Sequence, residues 1–122
     1  MPPSVRDALE RGDVEELREL LAEDVEFRSP AVYNPYHGRD TVVALLGVVA
    51  QVFEDFRYVR ELRDGRHTVL WFETRVGDRE LEGVDLLEED EEGRIVRFTV
   101  MIRPLSGLQH LAATIQARLE GA

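Results

Sequence analysis

Apolar residues recur at two different spacings along this chain, and the change of spacing divides it into two parts. The spacing is helical at first. Val5 and Leu9 share one face of a short helix that Gly12 ends. Asp13 has the character of an N-cap, and Glu16 completes a capping-box pattern. Leu17, Leu20 and Leu21 supply the buried stripe of a second helix, and residues 25–29 then alternate like a short strand. Prolines, Asn34 and Gly38 mark residues 30–38 as a loop. Helical spacing returns over 39–53, where Val42, Leu45, Leu46, Val49 and Phe53 form the core face.

From residue 56 to Pro104 the period becomes two. Asp64-Gly65, Gly77-Asp78 and the run from Asp90 to Gly93 read as turns. They predict four long antiparallel strands near 56–63, 67–76, 80–89 and 94–103. Leu70, Phe72, Thr74 and Val76 alternate with Val69, Trp71, Glu73 and Arg75. Val96, Phe98, Val100 and Ile102 alternate with Arg97, Thr99, Met101 and Arg103. After Pro104, the spacing of Leu108, Leu111, Ile115 and Leu119 predicts a C-terminal helix. Helices followed by a meander define an α+β class, with helices packed on one side of an antiparallel sheet. The other face carries Glu73, Arg75, Glu82, Arg97 and Arg103, which can pair across strands, together with Trp71 and Met101.

Asp85 interrupts this pattern. It stands in the apolar stretch Leu81-Glu82-Gly83-Val84-Asp85-Leu86-Leu87, in phase with Gly83 and Leu87. Facing inward, its carboxyl needs a partner or must keep its proton, which makes it a candidate acid, base or hydrogen-bond donor. The alternative is a carboxylate paired with an Arg or tied to a loop. His37, in the loop with Tyr33 and Tyr36, is a second candidate for proton transfer. The tyrosines either close over a ligand or pack under the loop. Phe27, Tyr33, Tyr36, Phe53, Phe72, Phe98, Val100 and Ile102 are the candidate apolar contacts for a ligand.

Composition narrows the chemistry. A chain of 122 residues suits a single domain spanning 1–122 and buries roughly two-thirds of its unfolded surface without staples. With no Cys and no Lys, it offers neither a thiolate nor a Schiff base. A net charge of −10 disfavours nucleic acid. The N-terminal residues lack a signal-peptide pattern, and no apolar run reaches the ~20 residues of a membrane span. The expected setting is the cytoplasm of a bacterium. His37, His67 and His110 have no metal-ligand spacing, and the chain has no phosphate loop or nucleotide fingerprint, so no metal and no cofactor is expected. The acidic run Glu88–Asp90 with Glu91 and Glu92 reads as a solvated hairpin.

The order of three segments carries a resemblance. They are Arg11-Gly12-Asp13-Val14-Glu15-Glu16-Leu17 with the following run from Leu20 to Phe27, then Gly38-Arg39-Asp40, and then Asp85 eight residues before Gly93-Arg94-Ile95. Together they resemble the SnoaL-like group of the nuclear transport factor 2-like superfamily over nearly the whole chain. The resemblance implies a cone-shaped, strongly curved antiparallel sheet wrapped by N-terminal, central and C-terminal helices, with a pocket. It also implies frequent dimerisation through the outer sheet face. Members include ketosteroid isomerases, limonene epoxide hydrolases, polyketide cyclases, dehydratases and proteins without catalysis, so fold does not give function. At the position of the isomerase's general-base Asp this chain has Ser29, and near its helical oxyanion-hole Tyr stands Val5. The oxyanion-hole Asp, held protonated in that enzyme, is matched by Asp85. The hydrolase's Arg matches Arg75, but its two Asp positions hold Gly77 and Val100.

The expected protein binds a small apolar organic molecule and forms a homodimer through the outer sheet face. Two readings of its activity follow. One is cofactor-free proton transfer, as in an isomerase, cyclase or dehydratase, with Asp85 assisted by His37 or a Tyr. The other is a non-catalytic ligand-binding or dimerisation module.

Overall fold

A computed structural model describes residues 5–120; Met1 to Ser4, part of the segment read for a signal peptide, lie outside the described residues. The helices are α1 (Val5–Arg11), α2 (Val14–Leu20), α3 (Arg39–Val52) and α4 (Leu105–Glu120). The strands are β1 (Leu21–Arg28), β2 (Tyr36–His37), β3 (Glu54–Asp64), β4 (His67–Val76), β5 (Arg79–Glu89) and β6 (Ile95–Arg103). They form one six-stranded sheet in the order β2-β1-β6-β5-β4-β3. The sheet is curled and unclosed, giving the α+β cone that the pattern and the resemblance predict. One pair departs from the antiparallel expectation: β1 runs parallel to β6, because the chain reaches β6 only after crossing the whole meander.

Local chemistry explains most boundaries. Asp13 caps α2 by accepting a hydrogen bond from the Glu16 amide at 3.1 Å. The reciprocal half of the expected capping box does not form, because the Asp13 amide donates to the Ala8 carbonyl at 3.0 Å and the Glu16 carboxylate pairs with Arg11. Leu21, expected in the helix, is extended (φ −92°, ψ 141°) and opens β1, where it is fully buried. The β3–β4 and β4–β5 hairpins each have Gly first in a two-residue loop. Gly65 and Gly77 take φ of 60° and 61°, a conformation that costs other residues. The first loop is therefore Gly65-Arg66, one residue beyond the Asp64-Gly65 of the sequence reading.

The inner faces of β4 and β5 keep the expected phase: Leu70, Phe72, Thr74 and Val76, with Leu81, Gly83, Asp85 and Leu87, are buried. On β6 the phase slips. Glu88 pairs with Arg97 but Glu89 with Ile95, so a bulge turns Ile95 inward and leaves Val96, expected in the core, half-buried. The main core joins Leu17, Leu21, Val25 and Phe27 to Val42 and Leu46 of α3 and to Leu70, Phe72, Ile95 and Phe98 of the sheet. A smaller cluster of Val52, Val76, Leu81 and Leu111 seats α4.

Candidate functional site

Asp85 lies at the middle of β5, opposite Leu70 of β4 and Val100 of β6. The alternation that buries Leu81, Gly83 and Leu87 carries its side chain to the inside of the curled sheet, where it is 5% exposed. Its partner is not an Arg. The Tyr58 hydroxyl of β3 donates to Asp85 Oδ2 at 2.5 Å. Tyr58 is the one buried residue of β3, and its ring meets Phe56 and Phe72 edge-on at 4.9 and 6.3 Å between centroids.

Burial controls the ionisation of both groups. It pushes the Asp85 carboxyl up to about 7, against a smaller opposite pull from the Tyr58 hydrogen bond. Burial first, and then the Asp85 charge, raise the Tyr58 phenol well above its ordinary value. The phenol therefore stays a donor across the physiological range. The carboxyl changes between acid and carboxylate near neutrality.

The pair opens on a cavity of about 600 Å³, within the usual ~300–1,000 Å³ of small-molecule sites. Phe27 and Tyr36 line it from β1 and β2, Phe53 and Phe56 from the α3–β3 junction, and Phe72, Phe98, Val100 and Ile102 from the sheet. Phe53 and Phe56 are stacked at 5.4 Å. Leu108, Leu111, Ala112 and Ile115 of α4 close one side. Glu10, Arg11, Gln116 and Leu119, all exposed, mark the mouth with Ala31 and Val32 of the β1–β2 loop. The interior is apolar, and its buried polar groups are concentrated at Asp85 and Tyr58.

Two residues expected at the site lie elsewhere. His37 is exposed and pairs across the ladder with Glu26, while its neighbour Tyr36 takes the inward place against Phe27 at 6.4 Å. Alternation on β2 permits only one of them to face the cavity. Tyr33 is 99% exposed on the loop and lines nothing. The remaining apolar candidates all border the cavity. Sequence reasoning missed Tyr58 and Phe56. Their i, i+2 spacing at the start of β3 was the available signal. Gly83 leaves no room for a ligand: a Cβ there would lie 2.4 Å from the Met101 carbonyl oxygen and 2.7 Å from Phe72, so protein atoms fill the space and the close approach of β6 needs a residue without a side chain.

The other transferred positions are equally plain. Ser29 borders the cavity, and its hydroxyl accepts from the Ala31 amide at 3.1 Å. Arg75 lies outside, paired with Glu54 at 3.2 Å and Asp55 at 3.0 Å. Trp71 and Met101 are on the outer face, 41% and 55% exposed. They align across the sheet through Val84, which pairs with both. No helix among the described residues is long and apolar enough to cross a membrane.

A curled, unclosed sheet wrapped by helices around an apolar cavity with a buried acid is the nuclear transport factor 2-like cone. The SnoaL-like domain model matches residues 4–98, and the chain belongs to that family within the nuclear transport factor 2-like superfamily. It is similar to a steroid delta-isomerase from Pseudomonas aeruginosa, with 47% identity and a TM-score of 0.90 over 94% of this chain and 85% of that one. It is also similar to a cystatin-like-fold protein from Silicibacter pomeroyi, with 38% identity and a TM-score of 0.92 over 98% and 87% of the two chains. A nuclear transport factor 2-like protein from Mesorhizobium loti shares the fold at 21% identity, with a TM-score of 0.73 over 81% and 84%. No protein of curated function matches the chain.

Proposed function

We propose that the cavity binds a small, apolar, oxygen-bearing organic molecule, and that Asp85 with Tyr58 performs cofactor-free proton-transfer chemistry at that oxygen. The observation that carries this reading is a buried carboxyl, bonded to a phenol, at the polar spot of an apolar cavity. A carbonyl or hydroxyl oxygen placed there would accept a hydrogen bond or a proton from Asp85 in its acid form. The Tyr58 hydroxyl, whose one proton goes to Asp85 Oδ2, would steady the carboxylate left when Asp85 gives up its proton. The family contains isomerases, cyclases and dehydratases, and the similar P. aeruginosa chain is a steroid delta-isomerase. By the family resemblance, Ser29 stands where ketosteroid isomerases carry their carboxylate base. The reading therefore favours acid catalysis at oxygen, such as dehydration or cyclisation, over abstraction of a C–H proton by a second carboxylate from β1.

Thermal-shift screening of apolar ketones, phenols and alcohols, a β,γ-unsaturated ketosteroid included, tests the pocket, because a ligand that prefers the folded state raises Tm. Compounds that stabilise the wild type should stabilise Asp85→Leu less, and turnover of any one of them should vanish in Asp85→Asn. Binding without turnover across the panel would support the alternative, a non-catalytic ligand-binding module. Absence of any bound compound would overturn the pocket itself.

The same reading makes the protein a cytoplasmic homodimer joined through the outer sheet face. Its support is the aligned apolar row Trp71, Val84 and Met101, flanked by the ion pairs Arg57–Glu73 at 2.8 Å and Arg103–Glu82 at 2.7 Å. An isologous contact over this face buries the row and lets its charges reach the other copy. Sedimentation should give a dimer at micromolar concentration and a monomer for Trp71→Glu. A monomeric wild type would remove the claim.

A further inference from the structure

We infer that Arg6 of α1 is a positioning residue for the donor pair, fixing Tyr58 so that its hydroxyl meets Asp85. The inference rests on the reading of Asp85 and Tyr58 given above and adds a third residue, which lies outside the cavity wall. Arg6 makes several contacts at one place. Its Nη2 donates to the Tyr58 carbonyl at 3.1 Å, and its guanidinium lies 6.0 Å from the centre of the Tyr58 ring. Nε reaches Glu10 at 3.3 Å and Nη1 reaches Glu61 at 3.5 Å. Acceptors on α1 and on β3 thus hold one planar fork against Tyr58.

The strand itself does little of this work. The β3–β4 ladder shifts register between Glu54 and Arg57 and again between Tyr58 and Arg60, so Tyr58 lies between two irregularities of an edge strand. Its neighbours Arg57, Val59 and Arg60 are exposed, and no other residue of β3 is buried. Bulges commonly re-aim a side chain, and the aim then depends on what clamps the bulged segment. Here the clamp comes from a helix of seven residues at the start of the described chain. The position of α1 is thereby coupled to the hydroxyl that meets Asp85 at 2.5 Å.

The test reads the pair directly and needs no ligand, so it stands or falls separately from the proposed function. The charged groups facing Tyr58 from its neighbours are Asp85 of β5, Arg6 and Glu10 of α1 and, through Arg6, Glu61. In protein labelled at the Asp carboxyl carbons, the Asp85 titration is followed by NMR in wild type, Arg6→Gln, Arg6→Lys, Tyr58→Phe and Tyr58→Phe/Arg6→Gln. Loss of the Tyr58 hydrogen bond disfavours the carboxylate. Arg6→Gln should therefore raise the Asp85 midpoint by about half a pH unit, toward that of Tyr58→Phe. Arg6→Lys keeps the charge but cannot span the three acceptors, so it should move the midpoint in the same direction. In the Tyr58→Phe background Arg6→Gln should add nothing. An unchanged midpoint in both Arg6 variants would overturn the assignment. So would a shift that persists without the Tyr58 hydroxyl, which would mean that Arg6 acts on Asp85 only as a distant charge. Should Arg6→Gln not fold, Arg6→Lys alone and in the Tyr58→Phe background decides the matter.

Discussion

Strands β4 and β5 present two faces built from alternate residues of the same segments, and the two treat a carboxyl group in opposite ways. On the outside, Glu73 and Glu82 each lie beside an Arg and within reach of water. On the inside, Asp85 has a phenol for a partner, and burial holds its proton on up to about 7. Three positions along β5 and one change of face separate Glu82 from Asp85. A carboxyl's chemistry here is set by the parity of its position. An outer carboxylate is ordinary surface, whereas the inner one is costly to ionise and correspondingly reactive.

The sharpest way to break this contrast is Asp85→Asn. The Asp85 carboxyl rises on folding from 3.8 to about 7. A raised carboxyl favours the folded state fully below its unfolded value, and that advantage is lost as pH rises through the folded one. The wild type should therefore lose stability between pH 4 and 7 and gain no further penalty above. Asp85→Asn keeps the shape and an acceptor for Tyr58, and it lacks the ionisable group. Denaturation at pH 8 should show it more stable by up to roughly 4 kcal/mol, and at pH 4 nearly equal to the wild type. Equal stability at both pH values would mean that Asp85 ionises as freely as the outer carboxylates. The corresponding change on the outer face, Glu82→Gln, should give no such pH-dependent gain.

The next effect concerns packing. Gly83→Ala places a Cβ 2.4 Å from the Met101 carbonyl oxygen and 2.7 Å from the Phe72 ring. Neither the backbone of β6 nor a ring held among Phe53, Phe56 and Tyr58 yields easily. Overpacking of this kind costs about 1–3 kcal/mol, measurable as a lower denaturant midpoint. Ala in place of Val84, one residue along and facing out, should cost less. A neutral Gly83→Ala would show that the sheet has slack at its bend.

How much of the contrast was legible in the sequence depends on the length of each alternation. Strands β4 and β5 carry 10 and 11 residues, long enough for parity to identify Asp85 as inward and Trp71 as outward. Strand β2 has two residues, which define no parity, and this is why both Tyr36 and His37 were expected at the cavity although only Tyr36 reaches it. In β6 the pattern Val96, Phe98, Val100, Ile102 was clean, but the bulge at its start made Ile95 the core residue, and a bulge leaves no mark in apolar spacing. Tyr58 was missed for a related reason. Arg57, Arg60, Glu61 and Arg63 give β3 the look of a solvated strand, and its single buried residue has its partner two strands away. Asp85 was visible as an anomaly in its own segment, whereas the residue that completes it becomes visible only once the strands are ordered.

Tyr58→Phe sharpens the inner half of the comparison by removing the partner and leaving the ring. The hydroxyl donates to a group that is a carboxylate above about 7. A hydrogen bond to a charged acceptor contributes about 1.5–3 kcal/mol, and one to a neutral acceptor about 0.5–1.5 kcal/mol. The variant should lose more stability at pH 9 than at pH 5, the reverse of the trend in Asp85→Asn. The Asp85 midpoint should move up, since the bond that stabilises its anion is gone. A loss independent of pH would indicate that the phenol bonds the acid and the carboxylate equally.

The smallest effect belongs to the outer face, and it separates two states of that face. Arg57 and Glu73 lie 2.8 Å apart, with side chains 56% and 41% exposed. In a monomer such a pair is screened by water, and a double-mutant cycle with Arg57→Ala and Glu73→Ala should give a coupling of about 0.2–1 kcal/mol that weakens with salt. If two copies meet over Trp71 and Met101, the nearby pair loses part of its solvent, and its charges act across as well as within the chain. The coupling measured in the dimer should then exceed that in the Trp71→Glu monomer and respond less to salt. The same weak, salt-sensitive coupling in both proteins would mean that the outer face stays in water and that the dimer, if one forms, uses another surface. A larger coupling in the dimer would show that assembly brings this face part of the way toward the low-dielectric conditions that Asp85 meets inside the cone.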